Sequence, residues 1–153
     1  NRVYAERVRL NDGARLLVRT MAENGAVTAL ISGGFTFFTT RVAEAAGFAT
    51  QQANEFVIEG GKLAGTVREP ILGREAKREA LLRLARENNI DLADTLAIGD
   101  GANDLAMIGE AGLGIAYRAK PIVAAAAAAR FDHSDLSAAL YLQGYRETDL
   151  VMD

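Results

Sequence analysis

Two carboxylates and an amide crowd into the run Asp100-Gly101-Ala102-Asn103-Asp104. Like charges this close repel unless a cation or a local field compensates them. A hard divalent cation bound through oxygen is one such compensation. Magnesium typically takes one or two protein carboxylates, with water and phosphate completing its shell. Asp100 is placed as that ligand. Asn103 and Asp104 open a helix and face back toward Asp100 at i+3 and i+4. Asn103 is then a donor to phosphate or to a catalytic carboxylate, and Asp104 a support that holds a metal-bound water. The plainer alternative is an Asp-rich turn with a helix N-cap, which both residue types favour.

Ile31-Ser32-Gly33-Gly34 carries a second signal. A hydroxyl follows an apolar run, and glycines let a ligand approach the backbone closely. A helix starting there would turn its free N–H groups toward an anion. Ser32 Oγ and the Gly33 N–H are candidate phosphate contacts; a simple strand-to-helix turn is the alternative. Lys77, near the start of a charged helix, is either a solvated surface group or a fixed cation that neutralises phosphate and a nucleophilic carboxylate. Such clamping is the main protein contribution to phosphoryl transfer. Lys120, before Pro121, is a candidate for the rim of the same site. His133, the one histidine, reads as a surface or packing residue.

The elements that position these residues follow from hydrophobic patterning. Short apolar runs at 26–31, 95–99 and 113–117 read as buried parallel strands. Helices are expected over 13–24 (capped by Asp12-Gly13 and closed by Gly25), 35–46, 74–88, 103–111, 121–129 and 136–143. Residues 3–10 read as an extended lead-in or a fraying helix, and 130–132 as an edge strand. Phe56-Val57-Ile58 and Leu63–Val67 flank Glu59-Gly60-Gly61-Lys62, a hairpin signal. Strands alternating with helices give an α/β fold built on a parallel sheet. Ligands of such sheets bind beyond the carboxyl ends of the strands. Ser32 and Asp100 both follow such ends.

The chain has 153 residues, half of them apolar, as a single domain requires. Its formal charge of −3 argues against a nucleic-acid surface. Without cysteine it has no disulfide, thiolate zinc site or cysteine nucleophile. That is compatible with a cytoplasmic location. No apolar stretch reaches the roughly 18–20 residues of a membrane helix, and no N-terminal signal pattern is present. The start at Asn1, without methionine, is what a fragment or a processed chain shows.

These pieces, in this order, resemble the phosphoserine phosphatases of the haloacid dehalogenase-like superfamily. The matching stretches are Ile31-Ser32-Gly33-Gly34-Phe35, Asn54-Glu55, Gly61-Lys62-Leu63-Ala64-Gly65, Lys77, Gly99-Asp100-Gly101-Ala102-Asn103-Asp104-Leu105, Ala111–Ala116 and Ala119-Lys120-Pro121. The resemblance implies a Rossmann-like core with flanking helices and one hairpin. It also implies that Ser32 and Gly33 bind phosphate, that Lys77 and Asn103 serve catalysis and the phosphate, and that Asp100 ligates Mg2+ with Asp104 supporting it. The implied reaction is hydrolysis of O-phospho-L-serine through an aspartyl-phosphate, the last step of serine biosynthesis.

One departure matters. In that family the nucleophile and the general acid lie in an Asp-x-Asp motif upstream of the Ser-Gly-Gly turn. No such motif precedes Ser32 here; the only upstream aspartate is Asp12. The helical cap that reads the serine amino and carboxylate groups is missing as well. By resemblance, the strand carrying the nucleophile is central, between those ending at Ser32 and Asp100. Its absence would strand backbone groups at about 1–3 kcal/mol each. The expected partners are therefore a small phosphomonoester and either the missing N-terminal segment or a strand swapped from another copy. The competing readings are another small-molecule phosphatase of the superfamily and an inactive phosphate- or magnesium-binding module.

Overall fold

The computed structural model describes residues 8–68 and 73–152. The described chain forms two compact units, one of 8–68 with 135–152 and one of 73–134. Most of the lead-in expected over 3–10 lies outside the described residues; 8–10 take no regular structure.

The first unit opens with α1 (Ala14–Glu23), which buries Leu17, Val18 and Thr20. Gly13, not Asp12, is its N-cap, and no side chain caps it. The Asp12 carbonyl instead accepts from the Leu136 N–H at 3.0 Å. The fully buried Thr20 hydroxyl accepts from the Val151 N–H at 3.0 Å and ties the end of the chain to α1. Next come β1 (Ala29–Phe35), α2 (Thr36–Ala46) and β2 (Thr50–Asn54), with β1 and β2 parallel. The strand read at 26–31 thus starts later and runs on through both glycines to Phe35, so α2 starts at Thr36. Phe35 pairs with Asn54 across the sheet, and its ring stacks on Phe56 at 3.7 Å, which keeps it extended.

β2 was not expected, because Thr50-Gln51-Gln52 is polar. Thr39 of α2 is buried and donates to Gln51 Oε1 at 2.7 Å, so the glutamine is satisfied under the helix. β3 (Phe56–Glu59) and β4 (Lys62–Val67) form the expected hairpin. Gly60 and Gly61 both have positive φ (57° and 77°), as a tight two-residue connection demands. α6 (Ala138–Leu142) buries Ala139 and Leu140 and is shorter than the helix read over 136–143.

A 3-10 turn at Glu147–Asp149 follows. Asp149 accepts from the Arg146 N–H at 2.7 Å and from the Arg146 guanidinium at 3.3 Å. The backbone bond first, and the side-chain bond second, hold its carboxyl below the ordinary aspartate value of 3.8. A lowered folded-state pKa stabilises above the unfolded value and ceases to do so as pH falls through the folded one. The stability gap between the natural chain and Asp149→Asn should therefore close as urea melts are taken from neutral pH to below 3.8. A gap that stays constant would rule this coupling out.

The second unit has α3 (Arg74–Glu87), a 3-10 turn at Leu92–Asp94, β5 (Leu96–Gly99), a second at Ala102–Asp104, α4 (Leu105–Glu110), β6 (Leu113–Tyr117), α5 (Pro121–Ala126) and β7 (Ala129–Phe131). The helices read over 103–111 and 121–129 are shorter, and the last turn of the second is replaced by strand pairing at Ala129. β5, β6 and β7 form one parallel sheet with β6 in the middle. Gly114, Ile115, Ala116 and Tyr117 are accordingly buried. Ile108, Ala116, Val123 and Ala124 form the core under α4 and α5.

The two strands that the resemblance sets beside the nucleophile strand are β1 and β5. Among the described residues, β1 pairs only with β2 and β5 only with β6.

Candidate active site

Gly99, the last residue of β5, makes room for Asp104. A Cβ there would lie 2.5 Å from Asp104 Cβ and Cγ. Asp104 tucks into that space and is buried. Its Oδ2 accepts from the Asp100 and Gly101 N–H groups, each at 3.1 Å. Its Oδ1 accepts from Lys77 Nζ at 2.7 Å. Lys77, from the first turn of α3, is buried too, with 8% of its side chain exposed against 7% for Asp104. An ion pair this deep survives only with good geometry and further hydrogen bonds. The two amides supply those bonds.

Both Asp104 oxygens are thus engaged by protein groups. Asp104 Oδ1 has a single protein donor and keeps a further acceptor site, so the water-holding role expected of Asp104 is compatible with these bonds. Its effect passes to Asp100. The Asp100 N–H is held by Asp104, and the Asp100 carbonyl accepts from the Lys120 N–H at 3.3 Å. With its backbone fixed on both sides, Asp100 presents an exposed carboxylate that has no partner among the described residues. Asn103, in the 3-10 turn, is also exposed, and its Oδ1 lies beside Gly101. Lys120 caps α5 and is exposed. His133 is exposed.

Ser32 and Gly33 belong to the other unit. The β1–β2 register runs Ile31↔Gln52 and then Phe35↔Asn54, so β1 bulges over Ser32, Gly33 and Gly34. Ser32 Oγ accepts from the Gly34 N–H at 3.0 Å. The Gly33 carbonyl accepts from Asn54 Nδ2 at 2.8 Å. The glycines therefore lie in the strand's bulge and not in the first turn of α2. The structure brings Lys77 to Asp104 and Asp104 to Asp100 within one unit, and it holds Ser32 and Gly33 in one loop of the other.

A profile of the haloacid dehalogenase-like hydrolases matches residues 1–109. The chain belongs to this family. A phosphoserine phosphatase of Streptomyces coelicolor is 44% identical over 144 residues, which cover 94% of this chain and 35% of that protein. One from Methanocaldococcus jannaschii is 39% identical over 77% of this chain and 56% of its own length. A solved structure described as a phospho-aspartyl intermediate analogue of phosphoserine phosphatase superposes with a TM-score of 0.83 at 36% identity, covering 90% of this chain and 66% of that one. The chain thus spans a third to somewhat over half of these curated relatives.

As a haloacid dehalogenase-like hydrolase, the chain carries its charged groups where an α/β sheet places ligands, after β5. Among the described residues no three His, Asp or Glu side chains gather as a metal cage. Asp100 is a single open carboxylate, which suits a magnesium ion that takes one or two protein carboxylates and fills its shell with water and phosphate. No described helix is long and apolar enough to cross a membrane. In the sequence, Asn54 stands out only as part of a stretch that matches the family. Its contact with Gly33 depends on β2, whose polar sequence hid it.

Proposed function

We propose that this chain is the phosphate- and magnesium-binding part of a phosphoserine phosphatase, whose parent protein hydrolyses O-phospho-L-serine to serine and phosphate. The observation that carries this reading is the Lys77–Asp104–Asp100 arrangement, found in a chain 44% identical to a protein named for that activity. Asp100 is the carboxylate that would hold Mg2+. Bound there, the ion would supply positive charge to the phosphoryl oxygens. Asp104 fixes the Asp100 backbone, and Lys77 both balances Asp104 and adds positive charge to that end of β5. Ser32 and the Gly33 N–H bind the phosphate, and Asn103 donates to it or to the catalytic carboxylate.

The Asp-x-Asp motif that would carry the attacking carboxylate is not in this sequence. We assign that carboxylate to an upstream Asp-x-Asp segment or to a strand swapped from a second copy. Selectivity for serine over other phosphomonoesters rests on the likeness to these relatives, because the residues that would read the amino and carboxylate groups are not in this sequence.

The test is phosphate release from O-phospho-L-serine, with magnesium and with EDTA, by chain of confirmed mass. The chain alone should give none. Adding the upstream segment should give release that EDTA abolishes. Magnesium-dependent turnover by the pure chain would mean that Asp12 or another carboxylate is the nucleophile. Continued silence after the segment is added would favour the inactive binding module.

A further inference from the structure

Asn54 is a buried polar side chain for which the mechanism above has no use. It sits at the end of β2, where the pairing with β1 resumes after the bulge. Its Nδ2 donates to the Gly33 carbonyl at 2.8 Å. That carbonyl and the Gly34 N–H belong to one planar peptide unit, so holding one end sets the direction of the other. The Gly34 N–H in turn donates to Ser32 Oγ at 3.0 Å. A hydroxyl has one proton and two lone pairs. With a lone pair engaged by Gly34, Ser32 keeps its proton for an outside acceptor. Gly33 and Gly34 are both exposed, and two glycines in a bulge have more backbone freedom to lose than any other pair. Without a clamp, this loop would have to be ordered each time an anion bound.

We propose that Asn54 is the positioning residue of the phosphate loop: through the Gly33–Gly34 peptide it orients the Ser32 hydroxyl as a donor to a phosphate oxygen. The inference rests on the reading of Ser32 and Gly33 as phosphate contacts. It adds a residue whose effect on the phosphate passes through the loop.

The test is a titration of the full chain with inorganic phosphate in the presence of magnesium, followed by the amide NMR signals of Gly33 and Gly34. Three variants are compared with the natural chain. Asn54→Ala removes the clamp. Asn54→Leu removes it at nearly constant size, should the alanine variant fail to fold. Thr28→Val is the structural control. Thr28 is buried and accepts from the Ala49 N–H at 3.0 Å, at the opposite end of the same strand pair. Losing a neutral hydrogen bond that orders a site should weaken phosphate by about five- to tenfold. That loss is expected for both Asn54 variants, while Thr28→Val stays within about twofold at a similar drop in melting temperature. Equal weakening by Thr28→Val would reduce Asn54 to general stability and overturn the proposal. So would phosphate affinity that both Asn54 variants leave unchanged. If phosphate moves neither glycine signal in the natural chain, the phosphate-site reading itself fails, and the role of Asn54 fails with it.

Discussion

Replacing Lys77 with methionine should destabilise the 73–134 unit by about 3–5 kcal/mol, the usual cost of stranding one partner of a buried ion pair. Methionine fills much the same space, so little of that loss is a cavity. The loss is electrostatic: the Asp104 carboxylate, with 7% of its side chain exposed, keeps two amide donors but loses its only cation among the described residues. Against a total of roughly 5–15 kcal/mol for a domain, this is a large fraction. Urea denaturation followed by a probe in this unit would show it as a lower midpoint at unchanged slope. The double variant Lys77→Met with Asp104→Leu should recover part of the loss, because two apolar groups replace a buried pair at little cost. It should not recover the position of Asp100, whose N–H would have lost its acceptor. A Lys77→Met midpoint within error of the natural chain would show that water reaches the pair and screens it.

Gly99→Ala should cost about 1–3 kcal/mol through overpacking alone. The added methyl would meet Asp104 Cβ and Cγ at 2.5 Å. Relief by swinging a flexible tip away is not open here. Asp104 is pinned by Lys77 on one oxygen and by two amides on the other. Something must give, and the choices are the ion pair, the Asp100–Gly101 turn, or the pairing of Gly99 with Ala116. The Asp100 and Gly101 amide signals are the direct readout, since both donate to one carboxylate oxygen. Large shifts there, with the β6–β7 amides unmoved, would localise the strain at the turn. Unchanged amide signals and an unchanged melting temperature would mean that Asp104 is not held as described.

Much of this site was legible before the fold was known, and the reason is local. Asp100, Asn103 and Asp104 lie within one turn of one another, and a buried apolar strand followed by a polar turn announces itself at short range. The same holds for Gly60-Gly61, where two adjacent positive-φ positions make a hairpin connection that flanking apolar residues only need to extend. The reading faltered where a residue's surroundings come from elsewhere in the chain. Gln51 and Gln52 do not look like a strand, and β2 exists because β1 offers a parallel edge and Thr39 meets Gln51. Phe35 looked like the start of a helix, yet its pairing with Asn54 and its stacking on Phe56 keep it extended.

By itself, the sequence determined that this is an α/β chain with polar, glycine-containing turns after two of its strands, because strand patterning and turn chemistry are written in neighbouring residues. Only the tertiary structure decided what each charged group does. Lys77 and Asp104 are 27 positions apart, and their pairing required α3 to bring an ammonium against the turn after β5. Asp104 is engaged by that ion pair and two amides, while Asp100 is exposed. Asn54 reaches Gly33 across 21 positions because β2 lies beside β1. Burial turns such contacts from optional to obligatory, since a charge or a donor removed from water must find its partner in the protein.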